Sequence, residues 1–272
     1  RRESGVAEII ADAMLDADSR PRTLPTAEGV LVILRGVNLN PGSNIEDMVS
    51  VRVWVEHDRV ISTSRRQLTS ISEIQASIDA GKGPKTSAEF LTVLVARLSD
   101  FITDAIDKIE AELDSAEDNV GNPADIARNS PFSVLRRQTA RIRRYLGPQR
   151  EALDRLSRVN DSVLDATCRS EVNEQANRLM LILEDLDLVR ERAMLAQEEF
   201  LGIVAHEQNS RMFVLSIVAA IFLPLSFLTG LMGMNVAGLP GLEYRGAFWL
   251  LVGLMLLVSI VILVLFRIKK WF

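Results

Sequence analysis

The sequence predicts an α+β membrane protein: an N-terminal α/β domain, a pair of charged helices, a long helical stalk and two C-terminal transmembrane helices. Three observations carry the prediction. Two charge-free apolar runs, residues 212–242 and 246–266, lie near the C-terminus. Short apolar and alternating segments near the N-terminus have the pattern of strands. Between them lie segments of helical spacing and opposite charge.

Residues 29–35 form a short apolar run consistent with a buried strand. Val49, Val51, Val53 and Val55 alternate with Ser50, Arg52 and Trp54, the period-two pattern of a half-buried strand. His57 and Asp58 mark a turn into residues 59–63, the expected hairpin partner. Residues 70–80 read as a helix stopped by Gly81, Lys82, Gly83 and Pro84. These elements make a first segment, residues 1–85, with no glycine-rich phosphate loop, His-Glu metalloprotease helix or Cys-x-x-Cys pair. The chain starts at Arg1 rather than at a methionine, so a short preceding stretch is expected.

A second segment, residues 86–168, changes character. Over 86–120, Phe90, Val93, Leu94, Leu98, Phe101, Ala105, Ile109 and Leu113 recur at helical spacing, with nine acids against two bases. Over 128–158 the balance reverses, with nine arginines against Glu151 and Asp154. Opposite charge predicts an antiparallel pair turning at Asn122 and Pro123 and joined by ion pairs between the two helices. The acidic helix is a sufficient partner for the arginines, so no nucleic-acid partner is expected.

A third segment, residues 169–235, repeats helical spacing through Val172, Ala176, Leu179, Leu183, Leu186, Val189, Ala193, Ala196, Phe200 and Ile203. Gly202 is its one potential breaker before the first apolar run, so a single helix is expected from about Glu171 into the membrane. As helices, residues 212–234 rise about 35 Å and residues 246–266 about 31 Å, which matches a bilayer core. Neither run sits where a signal peptide would. Arg211 precedes the first span and Arg267, Lys269 and Lys270 follow the second. The connector, residues 236–246, carries Glu243 and Arg245, and the last segment is 247–272. Positive flanks place both termini in the cytoplasm and the connector outside. One cysteine, Cys168, excludes a disulfide framework within the chain.

Along the first span, Asn209, Met212, Ser216, Ala219, Leu223, Ser226, Gly230 and Gly233 follow one another at spacings of three and four and share one helix face. The opposite face carries Phe213, Ile217, Ile221, Phe222, Leu225 and Leu228. A small, polar face suits either close helix packing or a pore wall. Two helices cannot enclose a water path, so a pore requires several chains around an axis.

Residues 222–235, Phe-Leu-Pro-Leu-Ser-Phe-Leu-Thr-Gly-Leu-Met-Gly-Met-Asn, resemble the CorA superfamily of divalent-cation transporters. That family's defining tripeptide, at the outer end of the first of two C-terminal spans, stands here as Gly233, Met234 and Asn235. The resemblance covers essentially the whole chain. It implies a homopentameric funnel in the bacterial inner membrane, whose partners are lipid, divalent cations and copies of itself. It implies no cofactor beyond the transported ion, and no enzyme. Matched onto this chain, the pore-lining residues are Asn209, Met212, Leu215, Ser216, Ala219, Leu223 and Ser226, with Asn235 ringing the outer mouth. Met212 with Leu215 or Leu223 would form apolar constrictions able to gate by dewetting.

Residues 34–42, 46–52 and 236–241 are similar to the zinc-transporting ZntB-type branch, with Val236 and Gly241 where magnesium channels have an aromatic and an acid. Met234, by contrast, is the form typical of magnesium channels. Zinc is the expected ion; a magnesium, cobalt or nickel channel is the alternative within the family, and a membrane sensor or scaffold the alternative outside it. The first span offers no carboxylate or histidine, so selectivity there rests on neutral oxygens, as at Asn235, which can bond the water shell of a hydrated ion. In the external loop, Glu243 either attracts cations or pairs with Arg245. Cys168 and His206 are the candidate soluble metal ligands, the other reading being a buried thiol and a solvated histidine. His57 reads as plain surface. Two histidines and one cysteine leave little for a membrane-anchored enzyme.

Overall fold

A computed structural model describes residues 6–16, 20–119, 131–159, 163–234 and 245–268. These residues form four strands and six helices and divide into two units, Arg1–Phe200 and Leu201–Phe272.

The first unit is built on an antiparallel meander of β1 (Arg22–Pro25), β2 (Val30–Gly36), β3 (Val49–Val55) and β4 (Val60–Ser64), lying side by side in sequence order. β2 pairs with β3 along their whole lengths, from Val30 opposite Val55 to Gly36 opposite Val49. The β3–β4 hairpin is closed by the Glu56 N–H donating to the Arg59 carbonyl at 2.8 Å and by an Arg59–Glu56 ion pair at 2.8 Å.

β3 departs from the half-buried pattern its alternation predicts. Arg52 and Trp54 are 2% and 1% exposed. The cause is α1 (Glu8–Leu15), which with β1 has no counterpart in the expected elements. It seats Ile10 and Met14 on Leu31, Ile33 and Trp54. The alternate positions, Val30, Val32, Leu34, Val51 and Val53, are fully buried as well, on the side where α3 (Ser87–Asp118) and α4 (Pro131–Leu156) pack. A buried bond ties the layers together, the Thr23 hydroxyl donating to the Ala152 carbonyl at 2.7 Å. Helix α2 (Thr69–Asp79) is followed by Gly81 at φ 70°, a conformation glycine adopts without steric cost. Thr86 caps α3 by accepting from the Glu89 N–H at 3.1 Å.

The stalk helix α5 (Ala166–Met232) starts before the expected Glu171. Asp165 accepts from the Cys168 N–H at 2.7 Å, an N-cap that satisfies one of the free donors of the first turn. Within the first unit its buried stripe runs Cys168, Val172, Ala176, Leu179, Ile182, Leu186, Val189, Ala193, Ala196 and Phe200, with Ile182 where Leu183 is expected.

The charge reversal between α3 and α4 resolves differently from the direct pairing expected. Both helices pair with α5. Arg178 meets Asp100 at 2.6 Å and Arg192 meets Asp114 at 2.6 Å. Both pairs are 78 residues apart, so α3 and α5 run parallel and in register. On α4, Arg143 meets Asp187 at 2.6 Å and Arg136 meets Gln197 at 3.0 Å, an antiparallel relation. Among the described residues no acid of α3 pairs with an arginine of α4. Exposed pairs of this kind contribute about 0–1 kcal/mol each. The buried stripe holds the bundle, and the charges set its register.

Candidate functional site

The second unit contains the last part of α5 and helix α6 (Ala247–Ile268), both long and apolar enough to cross a membrane. Neither apolar window has a buried residue within the chain, unlike the core helix of a soluble protein. Partial burial is confined to one face of each helix. On α5 it falls on Phe213, Ile217, Ala220, Ile221, Pro224, Leu225 and Leu228; on α6 it falls on Ala247, Leu251, Val252, Met255, Val258, Ser259, Ile262 and Phe266. Asn209, Met212, Leu215, Ser216, Ala219, Leu223, Ser226, Gly230 and Gly233 are all exposed in the protomer. Phe222 does not join the covered face assigned to it by sequence. At 63% exposed it borders the small face, because at about 100° per residue it lies one turn from Ser226 rather than opposite it.

Local bonding explains how so polar a face survives in a span. Ser216 donates to the Met212 carbonyl at 2.8 Å, and Thr229 reaches the Leu225 and Ser226 carbonyls at 3.1 and 3.0 Å. Such hydroxyls are satisfied by their own helix. Pro224 lacks an N–H, so the Ala220 carbonyl has no helical donor there, yet the helix continues to Met232. At the end, the Gly233 N–H donates to the Thr229 carbonyl at 2.9 Å. Met234 is exposed at this terminus. Asn235 and Glu243 lie outside the described residues, as do Lys269, Lys270 and the Asn122–Pro123 turn. At the other end of the face, Arg211 pairs with Glu207 at 2.7 Å.

A family description, the CorA-like Mg2+ transporter protein, matches residues 1–270. The chain belongs to the CorA-like family of divalent-cation transporters. Among its relatives, the divalent cation transporter CmaX of Pseudomonas aeruginosa is 42% identical over 92% of this chain and 76% of its own length. The zinc transport protein ZntB of Pectobacterium atrosepticum is 32% identical over 87% of this chain and 72% of its own. The solved structure of full-length CmaX superposes with a TM-score of 0.83 at 38% identity, covering 99% of this chain and 83% of that one. Membership makes the chain a membrane-embedded transporter rather than an enzyme.

Among the described residues no three of His, Cys, Asp and Glu cluster to hold an ion. Cys168 is buried, and burial pushes its thiol above the usual range, which makes it a poor thiolate ligand. His206 is exposed, thirty-eight residues further along the same helix.

Proposed function

We propose that five copies of the chain enclose a hydrated pore that carries divalent cations, zinc foremost, across the bacterial inner membrane. The observation that carries this reading is the unbroken exposed face from Asn209 to Gly233 in a protomer whose described residues supply two spans. A face of serine, alanine and glycine gains little from lipid and lines water or a neighbouring helix well. A bare divalent ion in hydrocarbon would cost tens of kcal/mol, so the ion keeps its water. A ring of Asn235 amides at the mouth accepts hydrogen bonds from that water and binds weakly enough to release. The ion is the substrate, and the mechanism needs no resident cofactor. Arg211 and Arg267 flank the spans on the side assigned to the cytoplasm, which puts both termini inside and the 236–246 loop, with Glu243, outside.

Zinc is supported by the likeness to ZntB. Magnesium is the second reading, favoured by Met234 at the centre of the tripeptide. Flux of zinc, magnesium, cobalt and nickel into liposomes holding only this protein tests both. Saturable zinc uptake by a pentamer is expected. Magnesium uptake without zinc would refute the ion assignment, and a monomer or dimer by native mass would refute the pore.

A further inference from the structure

The first unit gathers arginines at one end of its sheet. β2 and β3 supply Arg35 and Arg52, the stretch after β4 supplies Arg65 and Arg66, and α4 supplies Arg141 and Arg144. Together they line a cavity of about 450 Å³. Its acidic lining residues are Glu46 and Asp47, which leaves an excess of four positive charges. Glu46 reaches Arg141 at 3.5 Å through Oε1, while its buried Oε2 has no hydrogen-bond partner among the described residues.

Arg52 is the informative member. It is 2% exposed. Its guanidinium donates to the Asp16 carbonyl, while its Nε and the buried Ser50 hydroxyl have no hydrogen-bond partner among the described residues. Burial, followed by repulsion from Arg35 and Arg65, holds the Arg52 guanidinium below its usual range. Arg35 donates to the Met48 carbonyl at 3.1 Å and lies 4.6 Å over the Tyr145 ring, with Arg144 5.9 Å from the same ring. The ring therefore holds two guanidiniums at the cavity wall. A buried guanidinium short of a bond is costly, and an anion that supplies acceptors relieves both the desolvation and the mutual repulsion.

We propose that this cavity binds a small soluble polyphosphate, a diphosphate or nucleoside polyphosphate, with Arg52 and Ser50 at its floor and Arg66 and Arg144 at its rim. Guanidinium forks match phosphoryl oxygens two at a time. The volume lies in the range of small-molecule sites. The four-charge excess suits a di- or triphosphate better than a single carboxylate. The cavity shares no residue with the membrane face, so the inference stands apart from the transport reading.

Calorimetric titration of the full-length protein in detergent tests it, using ATP, pyrophosphate and water-soluble dihexanoyl phosphatidic acid as probes. Replacing Arg52 endangers the fold, so the exposed Arg144 carries the test. Saturable binding of ATP and pyrophosphate at one site per chain is expected. Arg144→Gln should weaken it roughly tenfold, the loss of one charge-assisted hydrogen bond. Asp47→Asn should tighten it. No saturable binding, an affinity unmoved by Arg144→Gln, or binding of phosphatidic acid alone would each overturn the assignment.

Discussion

Leu223→Ser separates a pore wall from a packing face. Leu223 is 74% exposed in the protomer. Only a quarter of this side chain is covered within the protomer, and covering it from lipid carries no water-transfer gain, so truncation costs the protomer little. The new hydroxyl can bond back to the Ala219 carbonyl, as Ser216 bonds to Met212 at 2.8 Å. The fold therefore tolerates the change. If Leu223 forms an apolar ring, five hydroxyls wet the constriction and lower the barrier to a hydrated ion. A reduction of about 1.4 kcal/mol gives a tenfold increase in basal flux. A zinc-sensitive dye inside liposomes reads it. Leu228→Ser, on the half-buried face, is the control and should lower thermal stability without opening a leak. An intact Leu223→Ser oligomer with unchanged flux, or equal leaks from both variants, would refute the pore-wall argument.

Asn235→Ala should reduce zinc flux by more than tenfold while native mass stays unchanged, since the amide is assigned to the ion's water and not to the fold. Glu110→Gln should raise the melting temperature at neutral pH. Burial, then repulsion from Asp185, Asp107 and Asp114, raises the Glu110 carboxyl above its usual range. Its ionised form thus opposes folding above that raised value, and the gain should vanish as pH falls below the ordinary glutamate range, as a melting series across pH would show. Gly36→Ala should destabilise the first unit by about 1–3 kcal/mol through overpacking. The added Cβ would stand 2.6 Å from Leu98 Cδ2 and 2.8 Å from Leu68 Cδ1, and a denaturant titration measures the loss.

The membrane spans were legible because hydrocarbon tolerates no charge along a helix, and residues 212–242 and 246–266 carry none. The covered side of α5 was legible for a related reason, that helical spacing fixes which residues share a side, although Val214, Val218 and Phe227 are exposed along with the small face. Phe222 escaped because it sits at the border between the two faces, where spacing alone does not decide the side. The second face of β3 was illegible. Arg52 and Trp54 look like solvent-facing residues, and the helix that packs on Trp54 is eight residues long with no side-chain cap at Ala7. The charges of α3 and α4 announced ion pairs but not their partner, since α5 carries both signs through Arg178, Arg192 and Asp187. The arginine cavity draws on two strands, a loop and a helix. No spacing along the chain could assemble it.

The matched offset of α3 and α5 limits how the stalk can slide. Arg178 and Arg192 lie fourteen residues apart on α5, as do Asp100 and Asp114 on α3, so neither pair can break alone under axial shift. Four residues return a helix to nearly the same face. One turn toward the C-terminal end of α3, about 6 Å, waits a second matched set, Asp104 and Asp118. One turn the other way, Arg178 meets Ala96 and only Arg192 finds an acid, Glu110. An axial slide of the stalk would therefore find a fully paired stop one turn away in a single direction only.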